Sequence, residues 1–335
     1  MCTNKIEMKR YDNLFGRICS MDNLRLADRK ARRGKKRTKN MDMFDKDPER
    51  HLRELRETLL AGKFHTSPYT HKTIYEPKER LISILPYYPD RIVHHAIMNI
   101  MEELWVKSFI AQTYSCVKGR GIHKALSDVK NALKDREGTA YCLKMDIRHF
   151  YPSIDHNVLK RILRQKIKDE RLLAVLDDVI DSEPGVPIGN YLSQYFANIY
   201  LTPFDHWLKE EKEIKYYFRY ADDMVILHPD KRYLHHLLGE IAEKLAEEFK
   251  LEIKANWQVF PVETRGIDYL GYVFRHDYTK LRKATKTRLK RRVGRIHGER
   301  KAMKMAVGSY FGWLKYCDSI NLKHKLNTIC YEQIF

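Results

Sequence analysis

No stretch of this 335-residue chain approaches the ~20 consecutive apolar residues that a membrane-spanning helix requires. The opening segment, MCTNKIEMKRYDNLFGRICS, lacks the apolar run of a secretory signal. The six cysteines (Cys2, Cys19, Cys116, Cys142, Cys317, Cys330) are scattered, with no Cys-x-x-Cys pair. That pattern argues against a zinc site or a disulfide framework and fits a reducing cytoplasm. No internal repeat is present. The run Arg29–Lys39, RKARRGKKRTK, contains no acid and almost no apolar residue. Such a block is expected to stay disordered until a polyanion neutralises it. The pairs His94–His95 and His235–His236 occupy adjacent positions, which on helices face different directions. They are expected to be solvated or capping residues rather than metal ligands.

What the chain has in excess is positive charge. Lys and Arg number 63 against 44 Asp and Glu, a net charge of +19. That excess attracts polyanions, nucleic acid first among them, although an anionic membrane or a plain solubilising surface would use the same charge. An apolar fraction of 43%, with 21 tyrosines and 13 phenylalanines, is enough for a substantial core. The length is that of two or three subdomains.

Helices alternate irregularly with strands. Leu52, Leu55 and Leu59 share one helical face, and Gly62 can end that helix. Val93, Ile97, Ile100, Met101 and Leu104 recur at helical spacing between Asp90 and Trp105, and a further helix is expected from about Ile122 to Leu133. Tyr141–Ile147 has strand character. Tyr216–Tyr220 and Met224–Leu227 are short aromatic and β-branched runs flanking Ala221-Asp222-Asp223, the signature of a hairpin. A helix from about Tyr233 to Phe249 follows, then a strand pair LEIKA and WQVFPV, then the strand YLGYVF (Tyr269–Phe274). Beyond Lys280 the chain reads as helical and very basic. The order implies an α+β fold with antiparallel pairing at its centre and helical parts on either side.

Three carboxylates stand out. Asp222 and Asp223 in a turn have a plain structural use, because aspartate bonds local backbone in turns. Here, however, the flanking strands are apolar and aromatic, and adjacent carboxylates beside a packed sheet repel unless a cation is present. Asp146 ends the other candidate strand. If the two strands are neighbours, three hard-oxygen ligands meet at one sheet edge. Such a set suits Mg²⁺ and two-metal phosphoryl transfer.

KMDIRHFY followed by FRYADDMVIL resembles the palm of a reverse transcriptase, and Tyr220–Asp223 matches that family's Y-x-D-D box. Asp90–Leu126 resembles the fingers segment of group II intron-like reverse transcriptases, and YLGYVF their approach to the thumb. The similarity runs in the family's own order from about Leu81 to Phe274. It implies a right-hand polymerase fold: a basic N-terminal extension at 1–50, fingers at 51–140, palm at 141–275 with a fingers insertion at about 152–190, and a basic helical thumb at 276–335. It also implies two Mg²⁺ ions on Asp146 and Asp222, assisted by the carbonyl of Ile147, with Asp223 less tightly engaged. Arg148, His149 and Phe150 would line the nucleotide with Tyr151, whose ring would exclude a ribose 2′-hydroxyl. Lys78 and Arg80 would grip the triphosphate.

Two departures narrow the resemblance. Where most such enzymes carry Q-G-x-x-x-S-P, this chain has Ile188-Gly189-Asn190-Tyr191-Leu192-Ser193-Gln194. An I/L/V-G-x-x-x-S-Q segment is similar to the reverse transcriptases of diversity-generating retroelements, which misread template adenines. They are encoded by bacteria, archaea and phages and act with template RNA, dNTPs and a small basic accessory protein forming a pentamer. The lysine of a K-T pair, a general acid in many relatives, aligns with Trp257, and Lys254 is the nearest substitute. Two other readings stand beside this one. A general or phage-defence reverse transcriptase would share the boxes without the mutagenic role, and a non-catalytic RNA-binding protein would have lost a carboxylate.

Overall fold

The computed structural model describes residues 10–75, 79–293, 308 and 311–324. In chain order, four helices open the fold: α1 (Phe15–Ile18), α2 (Met21–Ala31), α3 (Lys39–Phe44) and α4 (Pro48–Leu60). A hairpin of β1 (Thr70–Ile74) and β2 (Arg80–Ile84) precedes α5 (Ile92–Ser108) and α6 (Ile122–Ala132). Then come β3 (Tyr141–Asp146), α7 (His156–Lys166), α8 (Glu170–Asp181) and α9 (Tyr191–His206). The hairpin β4 (Tyr216–Tyr220) and β5 (Asp223–His228) leads into α10 (Lys231–Phe249), β6 (Gln258–Pro261) and α11 (Val262–Arg265). Next come β7 (Ile267–Tyr269), β8 (Tyr272–Phe274), β9 (Thr279–Leu281) and α12 (Lys283–Val293).

The chain divides into two compact units, each assembled from three separate stretches. The first comprises Met1–Ala111, Ile147–Lys212 and Ala242–Ile253; the second comprises Gln112–Asp146, Glu213–Ile241 and Lys254–Phe335. The first unit is mostly helical. Side chains start its helices by accepting from backbone N–H groups three residues on: Ser20 from Asn23, Thr38 from Met41, Asp47 from Arg50, Asp155 from Val158. The leucines spaced for one face of α4 (Leu52, Leu55, Leu59) are all buried, each contributing about 2 kcal/mol of burial.

The second unit is built on a four-stranded antiparallel sheet in the order β4-β5-β3-β6. Paired residues share a face, so Cys142, Phe218, Val225, Leu227 and Phe260 all point one way. There they join a core completed by Ala125, Leu126 and Val129 of α6 and by Tyr269, Tyr272 and Phe274. The opposite face carries Leu143, Met145, Met224 and Ile226, also buried. A separate three-stranded sheet, β7-β8-β9, closes the unit. The α+β class and the central antiparallel pairing agree with the expectation.

Four expectations need correction. YLGYVF is not one strand: Leu270 and Gly271, both at positive φ, turn the chain so that Tyr269 of β7 pairs with Tyr272 of β8. LEIKA is not a strand. Ile253 makes only a single bridge, to Ile147, and the Lys254 N–H is taken by the Asp146 carbonyl, so the segment cannot ladder with β6. The Arg29–Lys39 run is folded into the first unit. It spans the end of α2, a turn and the start of α3, with Arg32 paired to Asp28 and Asp45, and Arg37 to Asp42 and Asp45. These acids lie outside the run. His94 is buried within α5 and His95 stacks on Tyr191 at 4.5 Å, so neither is a solvated residue. His235 and His236 are exposed, as expected.

Candidate active site

The central feature of the second unit is the two-residue turn Ala221-Asp222 between β4 and β5. Ala221 takes φ +54°, an uncommon conformation for a residue with a Cβ. Arg219, fully buried, donates from Nη1 to the Ala221 carbonyl at 3.1 Å and so supports the turn from inside. Antiparallel register sets Asp223 opposite Asp146 on the neighbouring strand. The period of two then puts Asp146, Asp223 and Lys144 on one face of the sheet, with Asp222 at its lip.

Two lysines flank these acids. Lys254 approaches Asp146 twice, its N–H donating to the Asp146 carbonyl at 2.8 Å and its Nζ reaching Oδ1 at 2.7 Å. Lys144 Nζ lies 3.2 Å from Asp223 Oδ1 and 3.4 Å from Oδ2. The Oδ1 contact is off the hydrogen-bonding line, which leaves that buried oxygen without a hydrogen-bond partner.

The electrostatics record the crowding. Burial, and next the Asp146 carboxylate beside it, push the Asp222 carboxyl up to about 7; Lys254 acts in the opposite sense. Burial also raises Asp223, opposed by Lys144. Among the described residues no three His, Cys, Asp or Glu side chains already form a coordination sphere. With lysines drawn to Asp146 and Asp223, the acids are instead compensated internally. The donor set itself, three carboxylates with an unbonded buried oxygen, is of the hard-oxygen kind that fits Mg²⁺.

The other predicted residues belong to the first unit, apart from Lys78, which lies outside the described residues. Ile147 is buried in its bridge to Ile253, and Arg148 pairs with Glu252 at 3.0 Å. His149 is exposed at φ +44°. Phe150 is buried and meets Tyr151 edge to face at 5.6 Å. Tyr151 opens a single 3₁₀ turn, and its carbonyl accepts from the Val186 N–H at 2.9 Å. Arg80 begins β2, exposed, in register with Ile74.

The Ile188 loop is fastened to that same hairpin. The Ser83 N–H donates to the Ile188 carbonyl at 2.8 Å. Gly189, at φ +119°, passes so close that a Cβ would stand 2.5 Å from the Ser83 carbonyl oxygen, so only glycine fits. Asn190 donates to the Tyr69 hydroxyl at 2.6 Å. Gly189, Asn190, Tyr191 and the exposed Gln194 then line one side of a cavity of about 520 Å³. Its remaining wall includes Lys30, Arg33, Lys35 and Arg91 and, among the described residues, no acid. The gathered charge is visible on its neighbours: burial, then Arg91, Lys30 and Lys35, push His95 down to about 4, and Arg91 lowers Lys35. The Arg91 Nε and His94 Nε2 are buried without hydrogen-bond partners.

Sequence reasoning missed Lys144, Arg219 and this cavity. The first two carried a signal, namely a cation inside an otherwise apolar strand. The cavity carried none, because it joins residues some 160 positions apart.

The fold is that of a right-hand polymerase. The chain belongs to the reverse transcriptase (RNA-dependent DNA polymerase) family, whose pattern matches residues 71–274. Protein YkfC of Escherichia coli K12 is 26% identical, the match covering 66% of this chain and 70% of that protein. The group II intron-encoded protein LtrA of Lactococcus lactis subsp. cremoris is 23% identical, over 65% of this chain and only 38% of LtrA. Telomerase from Candida albicans, solved with a fragment of telomeric RNA, aligns with a TM-score of 0.49 at 14% identity, covering 75% of this chain and 55% of that one. No described helix is long and apolar enough to cross a membrane.

Proposed function

We propose that this reverse transcriptase is the polymerase of a diversity-generating retroelement, copying a template-repeat RNA into adenine-mutagenised cDNA. The observation that carries the catalytic part is the meeting of Asp146, Asp222 and Asp223 at one end of a sheet, with charge crowding that cations relieve. Asp146 and Asp222, with the Ile147 carbonyl, would hold two Mg²⁺ ions, and Asp223 would be a looser third ligand. Bound there, the ions supply charge stabilisation to the attacking and leaving oxygens of nucleotidyl transfer. Lys254, already at Asp146, is the candidate to hand a proton to departing pyrophosphate. Lys78 and Arg80 hold the triphosphate, while Arg148, His149, Phe150 and Tyr151 border the nucleotide and Tyr151 rejects the 2′-hydroxyl. We assign fingers to 51–140, palm to 141–275 and thumb to 276–335.

The mutagenic part rests on Ile188 and Gln194. An amide at position 188 could bond sugar or base, whereas isoleucine can only pack, and discrimination falls when fewer polar groups depend on the right partner. The basic cavity beside Gln194 suits the sugar–phosphate backbone of the template. The further partners are the RNA/cDNA duplex, dNTPs and a small basic accessory protein forming a pentamer. Similarity to LtrA favours a second reading, a general polymerase of the group II intron kind without mutagenic bias.

The test is DNA synthesis on an RNA template with dNTPs and Mg²⁺, followed by sequencing of cDNA made with the accessory protein present. Wild-type protein should extend the primer and Asp222→Asn should not. Errors concentrated opposite adenine support the retroelement; uniform errors return the chain to the general family. Equal synthesis by Asp222→Asn would remove the catalytic assignment altogether.

A further inference from the structure

Lys144 lies mid-strand on β3, two residues before Asp146, and on the sheet face that also carries Cys142, Val225 and Phe218. A lysine among such neighbours needs its charge matched, because a buried, unpaired ammonium is strongly unfavourable. Its matches are specific. Nζ contacts Asp223 at 3.2 and 3.4 Å, donates to the Asp268 carbonyl in β7, and lies 5.7 Å from the centre of the Tyr269 ring. Asp268 is in turn held by Arg282, whose Nε donates at 2.6 Å. The amine is therefore fixed from β7 and aimed at a single acid. Both side chains of the ion pair are about a quarter exposed, so the contact is neither a screened surface pair nor a sealed one.

We infer that Lys144 is a positioning residue that serves as the resident counter-ion of Asp223. It holds this carboxylate in place when no metal is bound and competes with a cation arriving there. The inference rests on the assignment of Asp223 as a metal ligand. Lys254 does for Asp146 what Lys144 does for Asp223. Only Lys144, however, is anchored by a carbonyl and a ring outside the acid cluster. Its amine therefore stays beside Asp223 instead of swinging into solvent.

The experiment compares full-length wild type with Lys144→Met, Lys144→Arg, Asp223→Asn and the double variant Lys144→Met/Asp223→Asn. Mn²⁺ affinity is measured by calorimetry, and melting temperature with and without Mn²⁺. Lys144→Met should melt lower without metal, yet bind Mn²⁺ more tightly by roughly fivefold, the upper range for a partly exposed pair. Its gain in melting temperature on adding Mn²⁺ should exceed that of wild type. Lys144→Arg, which keeps the charge, should restore wild-type affinity. In the Asp223→Asn background the Lys144→Met substitution should change Mn²⁺ affinity by less than twofold. Unchanged or weakened Mn²⁺ binding in Lys144→Met overturns the counter-ion role and leaves a purely structural lysine, as does equal tightening in the Asp223→Asn background. Failure of the underlying assignment looks different: wild type and Asp223→Asn would then bind Mn²⁺ alike.

Discussion

Replacing Gly189 by alanine puts a methyl group where the backbone of β2 already is. The new Cβ would stand 2.5 Å from the Ser83 carbonyl oxygen and 2.9 Å from Ile82 Cγ2, and the residue would have to keep φ +119°. Holding a side-chain-bearing residue in that region costs about 1–3 kcal/mol. Relief by moving the loop breaks the Ser83 N–H to Ile188 carbonyl bond, a further ~1 kcal/mol. A total of roughly 2–4 kcal/mol lowers the melting temperature of a chain this long by on the order of 3–6 °C. Gly34 is the control, since it also has positive φ (+67°) but nothing within 4 Å of an added Cβ. Gly34→Ala should therefore lose only about 1 kcal/mol. Calorimetry on both variants decides the matter. If they melt within a degree of each other, close packing of the Ile188 loop on β2 is not what requires glycine.

Three further outcomes are expected. His94 is buried and, through burial first and then His95 and Arg91, is pushed down to about 3. Its folded value lies below the unfolded one, so it has no effect above about pH 6.5; as pH falls further the unfolded chain gains a proton that the native one refuses. His94→Met should thus weaken the stability loss between pH 6.5 and 5 by up to ~2 kcal/mol, and an unchanged slope in urea titrations at those two pH values would contradict the assignment. Ile188→Gln should lower misincorporation opposite adenine several-fold with little change opposite other bases; single-nucleotide extension reads this directly, and an equal error rate defeats it. Replacing Arg33 and Lys35 by glutamine should reduce the salt dependence of template binding by one to two charges' worth, and a parallel slope in a salt titration would remove the cavity from the template path.

Much of the arrangement was legible because local rules and tertiary packing agreed. The leucine spacing of α4, the hairpin around Asp222 and the acid ending β3 all came from periodicity, and register then brought Asp146 opposite Asp223. The failures share a cause, which is that a window of sequence does not contain its partners. Arg29–Lys39 reads as an uncompensated block, but Asp28, Asp42 and Asp45 sit just outside it. LEIKA has strand composition, but its backbone is claimed by Asp146 and Ile147. His94 reads as polar and solvated because nothing in α5 itself reveals that this side of the helix is covered. Arg219 and Lys144 were visible all along as cations within apolar strands, and only geometry gave each a task.

The pairing of Asp146 with Asp223 has a consequence for how this gene can change. A strand counts in twos, so losing or gaining one residue between Tyr216 and His228 would turn every later side chain of β5 to the opposite face. Asp223 would leave the acids and Val225 would exchange places with a residue from the other core. Substitutions along the hairpin exchange one contact at a time, whereas a single-codon deletion exchanges both faces at once. Length, more than chemical identity, is thus the inherited property of this segment, and natural variation here should consist of replacements with the spacing within the hairpin left intact.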